Sequence, residues 1–195
     1  MNWGHNTVMN TMVQTPLIDR ISLRTQLYFA KEMAIRAVGV VGCMMAFAWL
    51  FHQNYLFILE MSLMGLAVIE LIPSAILHLE YYDCDKSKSL SVDKAAQTMT
   101  IIDEDLSHVL RFNDIDSIRV VMGQELFDGS KRGWYSFEIY HYAVIHTKAN
   151  EKFIVTCLMM TDLRNAFRDL GLPVVWERKR FPLLSREREK SSDGW

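Results

Sequence analysis

The sequence predicts an α+β protein: a two-helix transmembrane hairpin followed by a seven-stranded antiparallel barrel or sandwich capped by one C-terminal helix. Three observations carry this. Residues 37–79 contain only two charged side chains, Glu60 and Glu70. From Ser89 onward the apolar period becomes two, the period of half-buried strands. After the last alternating run comes one amphipathic stretch that stops at Gly171 and Pro173.

The bulk composition hides this organisation. Half of the 195 residues are hydrophobic, and 21 Lys and Arg face 23 Asp and Glu. A net charge of −2 excludes a strongly basic nucleic-acid binder, and the aromatic content excludes a disordered chain. Mean hydropathy is only +0.05, because an almost uncharged block is averaged with a well-charged one. Residues 1–36 carry Arg20, Arg24, Lys31 and Arg36 against Asp19 and Glu32. Residues 1–14 show no pattern and read as loose.

Residues 15–35 read as an amphipathic interfacial helix leading into the membrane. Thr15 is its expected N-cap and Pro16 its first residue, with Ile18, Ile21, Leu23 and Leu27 on the apolar face. The hairpin follows over 36–79, with passes at about 36–52 and 55–79. As one straight helix, 37–79 would run about 65 Å, twice the ~30 Å hydrocarbon core, so the block must fold back. His52-Gln53-Asn54 is its only polar triplet and reads as the turn. Trp49, Tyr55, Tyr81 and Tyr82 lie where interfacial aromatic belts are expected. Basic residues precede the first pass and none lies in the turn, which places both termini in the cytoplasm. The apolar run begins too late for a cleavable signal peptide.

An isolated glutamate within a pass costs about 2.5–3.5 kcal/mol on insertion scales. Folding the hairpin about residues 53–54 puts Arg36 level with Glu70. An Arg36–Glu70 ion pair is one reading. A protonated Glu70, or one facing a neighbouring subunit, is the other. Pro73 is expected to loosen the second helix one turn further on.

The cytoplasmic part is expected at 80–180, before a charged tail at 181–195. Its strands are read around Leu90 and Val92, then at 98–102, 108–112, 115–122, 134–140, 143–147 and 152–158. Thr161 is the expected N-cap of the closing helix, whose stripe is Leu163, Phe167 and Leu170. Seven short strands and then one amphipathic helix is the element order of a pleckstrin-homology-like barrel.

The residues also suggest a family. The two passes, Leu77-His-Leu-Glu-Tyr-Tyr82, Asp114-Ile-Asp-Ser-Ile118, His141-Tyr-Ala-Val-Ile145 and Lys152-Phe-Ile-Val-Thr-Cys-Leu158 together resemble the membrane-anchored bacterial PH-domain-containing proteins of the Bacteroidetes type. That resemblance implies a PH-like fold at a bacterial inner membrane. It carries over no catalytic or ligand-binding residue, and the fold itself hosts many functions.

No catalytic motif is present. Gly123, Gly129 and Gly133 do not form a phosphate loop, and His141 and His146 fall on opposite faces of one strand. Cys43, Cys84 and Cys157 lack metal or redox spacing and read as reduced thiols. No cofactor is expected. Gly39 and Gly42 do not match the helix-packing motif with three intervening residues, although a homo-oligomer stays open. Lys94 beside Asp93 is the only cation of the first β-turn, too few for inositol phosphates. Lys131 and Arg132, with Arg178, Lys179 and Arg180, are the candidate contacts for weak docking on an anionic leaflet. In the aromatic run 134–142, alternation puts Trp134 and Tyr140 on one face, either a recognition patch or a covered surface. The expected function is a membrane-anchored, non-enzymatic interaction or scaffold module with an unidentified protein partner. The alternative is a module that senses the lipid leaflet.

Overall fold

The computed structural model describes residues 17–51, 54–129, 135–185 and 187. Helix α1 (Leu23–Leu50) is 28 residues long and starts from Ser22, whose hydroxyl accepts the Thr25 N–H. Asn54 caps the returning helix by accepting the Leu56 and Phe57 N–H groups. That helix runs as α2 (Tyr55–Leu66), a π-turn (Ala67–Leu71) and α3 (Ile72–Asp85). The π-turn directly precedes Pro73, whose missing N–H and bulky ring prevent an ordinary α-turn there. The Ile72 N–H instead bonds the Ala67 carbonyl. Both helices are long and apolar enough to cross a membrane. Among the described residues, the exposed large hydrophobic side chains other than Leu106, Val109, Tyr135 and Val175 lie between Leu23 and Tyr82.

The segment before α1 departs from expectation. Residues 17–20 form a strand, β1 (Leu17–Arg20), antiparallel to β2 (Lys88–Asp93), with Ile18 opposite Ser91. The expected interfacial helix is therefore absent over these residues, and its cap, Thr15-Pro16, lies outside the described ones. A free β2 edge outcompetes the weak helical pattern. The hairpin is thus inserted between the first two strands of a sheet rather than placed ahead of the domain.

Strands β1, β2, β3 (Thr98–Asp103) and β4 (Leu106–Arg111) form one four-stranded sheet, in that order. At the β2–β3 turn the Asp93 carboxylate accepts the Ala95 and Ala96 N–H groups, each at 2.9 Å. The second sheet has the order β7 (Lys152–Thr156), β6 (His141–Thr147), β5 (Ile115–Met122) and β8 (Val174–Arg178). Among the described residues no ladder joins the sheets, so the expected barrel or sandwich is not a closed barrel. Among the same residues seven strands follow the hairpin, though not the seven expected. Residues 135–140 are not a strand: Ser136–Ile139 is a 3₁₀ turn. Strand β8 was not foreseen, and it pairs parallel to β5.

Sheet two is covered on both faces, which explains the almost uninterrupted burial of β6. One face, with Ile118, Val120, Met122, Ala143 and Ile145, meets Leu90, Met99, Ile101 and Leu110 of sheet one. Helix α5 (Leu163–Arg168) closes that core with Leu163 and Phe167. Its N-cap is Asp162, whose carboxylate accepts the Asn165 N–H, rather than Thr161. It precedes β8, so it is not the last element. The other face, with Val121, Tyr142 and Val144, packs on Phe29 of α1 and on Leu77, Tyr81 and Cys84 of α3. The lower half of the hairpin is therefore a third layer of the domain.

A short helix, α4 (Gln124–Phe127), follows β5 where a loop was expected. Gly123 ahead of it is a close-approach position: a Cβ there would overlap the carbonyl oxygen of Glu138. Gly123→Ala is expected to lower stability by about 1–3 kcal/mol. Thermal melting of the detergent-solubilised full chain checks this.

Candidate functional site at the seam between hairpin and domain

Glu70, Ser74, Leu77, Tyr81 and Cys84 recur every three or four residues, Asp85 lies four beyond Tyr81, and all are buried. This spacing aligns them on one face of the returning helix, turned towards the domain. The seam begins at Glu70 on the π-turn, whose carboxylate accepts the Ser136 N–H at 2.7 Å. The hydroxyls of Ser74 and Ser136 are buried without a hydrogen-bond partner. Next, His78 Nδ1 lies 3.0 Å from the Tyr140 hydroxyl, and Phe29 stacks on the Tyr140 ring at 4.8 Å. Tyr81 is fully buried and donates to the Pro182 carbonyl at 2.7 Å, while its ring meets Tyr140 and Tyr142 edge-on. At the base, the buried Asp85 accepts the Thr156 N–H at 3.0 Å and the Thr156 hydroxyl at 2.6 Å. Glu80 accepts the backbone N–H groups of Leu184 and Ser185.

Those last contacts fasten the segment after β8. Within the stretch expected as a charged tail, Leu184 is fully buried and Glu187 is 1% exposed. The Arg119 guanidinium meets Glu187 as a fork, at 2.6 and 3.2 Å, and also bonds Glu177 at 2.7 Å. Lys179 reaches the Glu187 carboxylate at 3.2 Å, and Lys152 reaches its main-chain carbonyl at 2.7 Å. Burial alone would raise the Glu187 pKa. The Arg119 fork and Lys179 outweigh it and hold the carboxyl at about 2. The Arg119 guanidinium is correspondingly pushed up by its bonds to Glu187, against the effect of burial.

The candidate residues distribute unevenly over this geometry. Arg36 and Glu70 form no salt bridge, because Glu70 is turned into the domain and satisfied by a backbone N–H. Tyr140 is no surface recognition residue: it is fully buried under α1 and α3, which pushes its hydroxyl pKa up. Tyr81, expected in an interfacial belt, is likewise inside the seam. Lys179 is committed to Glu177 and Glu187 and so is not a free surface cation. Arg178 and Arg180 are exposed. Lys131, Arg132 and Trp134 lie outside the described residues.

His141 and Cys157 are both buried. His141 is buried, which lowers its pKa, and its Nδ1 lies 2.9 Å from the Ile139 carbonyl. That carbonyl can only accept, so Nδ1 carries the proton. Burial pushes the Cys157 thiol well above its usual range, away from thiolate chemistry. Among the described residues no group of three His, Cys, Asp or Glu is placed to hold a metal.

A family profile described as a PH domain matches residues 20–165. The match takes in the hairpin, β2 to β7 and the start of α5, so the hairpin falls within the matched unit. Neither curated proteins nor solved structures give a significant match. Matched over most of its length, the chain belongs to this PH-domain family.

Proposed function

We propose that the chain is a membrane-anchored, non-enzymatic interaction module that holds a PH-like domain at a fixed distance and orientation from the bilayer. The observation that carries this reading is the uneven fate of the hairpin. One side of its lower half is built into the domain, while Ile72, Ile76 and Leu79 on the other side, and Val38, Met44, Phe47, Leu56, Phe57 and Met61 of the upper half, are exposed. So much contiguous apolar surface needs a nonaqueous surrounding. A helix pair closed by a capped turn satisfies its own backbone there. The flanking charges Arg20, Lys31 and Arg36 favour a cytoplasmic domain, here that of a bacterial inner membrane. An unidentified protein partner, or a second copy, would dock on the presented domain. Specific capture of anionic lipid is the weaker reading, because Lys179 is neutralised and the β2–β3 turn offers only Lys94.

Alkaline extraction tests the anchor. The full chain is expected to stay in the membrane pellet. Val40→Arg, on the exposed face of α1, adds about 2.5–3.5 kcal/mol to insertion and is expected to deplete the pellet. Full release of the unmodified chain by carbonate would refute the anchor. In intact spheroplasts, Gln53→Cys is expected to react with an impermeant maleimide, and Leu106→Cys only after lysis.

A further inference from the structure

The seam sets a length that the bilayer must accommodate. Asn54 caps the tip of the hairpin, and Glu70 is the first residue of the returning helix bonded to the domain. These positions are about 24 Å apart at 1.5 Å per residue. On α1, Arg36 lies about 22 Å from the turn by the same measure. The part of the hairpin that stands clear of the domain is therefore about 6 Å shorter than a ~30 Å hydrocarbon core, so a bilayer spanned by it brings the near headgroup layer against the domain alongside Glu70. A hinge at the domain could hide such a mismatch, but the bonds from Glu70, Glu80, Tyr81 and Asp85 hold helix and domain as one body.

The domain element at that depth is the 3₁₀ turn bonded to Glu70. Just ahead of it, Tyr135 is 40% exposed and stacks parallel to Phe137 at 5.2 Å. Phe137 meets Phe181 edge-on at 5.5 Å. Beside Phe181, Lys179 and Arg180 line a shallow groove with Leu183. Phe137 and Phe181 are half-buried against the seam, and the exposed Tyr135 ring with the exposed Arg180 side chain on the same face is the chemistry of a membrane–water interface. We infer that the face carrying Tyr135, Phe137 and Phe181 is a membrane-docking surface, whose occupant is the headgroup layer of the leaflet nearest the domain. It is separate from the β2–β3 turn, and it is selected by depth rather than by lipid charge. The neighbouring charges are mixed: Arg178 and Arg180 stand against Glu125, Asp128 and Glu177. The docking surface rests on the hairpin spanning the bilayer.

Site-specific photo-crosslinking of the full chain separates the two ideas. Benzoylphenylalanine is placed at Tyr135, at Phe57 on the exposed hairpin and at Val109 on the exposed edge strand β4. Each protein is reconstituted into phosphatidylethanolamine–phosphatidylglycerol vesicles, and lipid adducts are read by mass spectrometry. Adducts are expected at Phe57 and at Tyr135, the latter about tenfold above Val109 because only an interfacial ring meets lipid continuously. Adducts at Phe57 with Tyr135 no higher than Val109 would overturn the docking surface and leave the anchor standing. No adduct at Phe57 would overturn the span itself, and the docking surface with it.

Discussion

Tyr81→Ala is expected to cost the folded chain about 3–5 kcal/mol, the usual loss for a fully buried large aromatic. The ring fills the space between α3 and sheet two, and its hydroxyl ties α3 to the Pro182 carbonyl. The substitution therefore opens a cavity in the seam and frees the 181–187 segment together. Tyr81→Phe keeps the packing and leaves the Pro182 carbonyl unsatisfied, so a smaller loss of about 1–3 kcal/mol is expected. Melting of the solubilised protein ranks the two. Limited proteolysis adds a second readout, since the Tyr81→Ala seam is expected to be cut after β8 much faster. Equal melting temperatures for both variants would mean that the ring, as distinct from its hydroxyl, contributes nothing to the seam.

The second large effect is at Arg119. Removing its side chain takes the forked partner from Glu187, 1% exposed, and leaves it the more distant contacts to Lys152, Lys179 and the Tyr142 hydroxyl. Breaking a buried pair from one side costs about 3–5 kcal/mol. Arg119→Ala is accordingly expected to melt far below the parent. A paired Arg119→Met, Glu187→Leu change is expected to recover much of the loss, because no charge is then stranded. Acid sensitivity follows from the same carboxyl. Its pKa falls from an ordinary 4.5 to about 2 on folding, so its contribution is complete above 4.5 and is lost as pH falls towards 2. Melting followed from pH 7 to pH 3 is expected to show a steeper acid limb for the parent than for Glu187→Gln.

What could be read from residues alone follows a physical division. The hairpin was legible because charge depletion over 37–79 is a property of composition in a window and needs no partner. Strands β2 to β7 were largely legible for the same reason, since alternation at Leu90–Val92 or Met99–Ile101 reports burial on one face. Strand β1 was hidden because Ile18, Ile21 and Leu27 fit a helical stripe, and only the distant β2 edge makes the first of them extended. Aromatic density over 134–142 imitated a strand, whereas the chain turns at Ser136 to meet Glu70. The seam and the Arg119–Glu187 cluster were not legible. Glu80 and Ser185, or Arg119 and Glu187, are far apart in sequence, and each looks like an ordinary surface charge until the fold brings them together. Of the alternatives left open at the site, Tyr140 takes the covered one and Glu70 bonds the Ser136 N–H rather than Arg36, both because the hairpin face that carries Glu70 is turned against the domain.

The insertion of the hairpin between β1 and β2 also orders the birth of the molecule. Strand β1 leaves the ribosome first, yet its partner strand is made only after residues 21–87 have been translated. Sheet one can close only when the hairpin has returned the chain to the side on which β1 waits. Until then the β2 edge stays open, and an open edge invites aggregation and proteolysis. Under the proposed membrane anchor, insertion of the hairpin and completion of the sheet would be coupled steps.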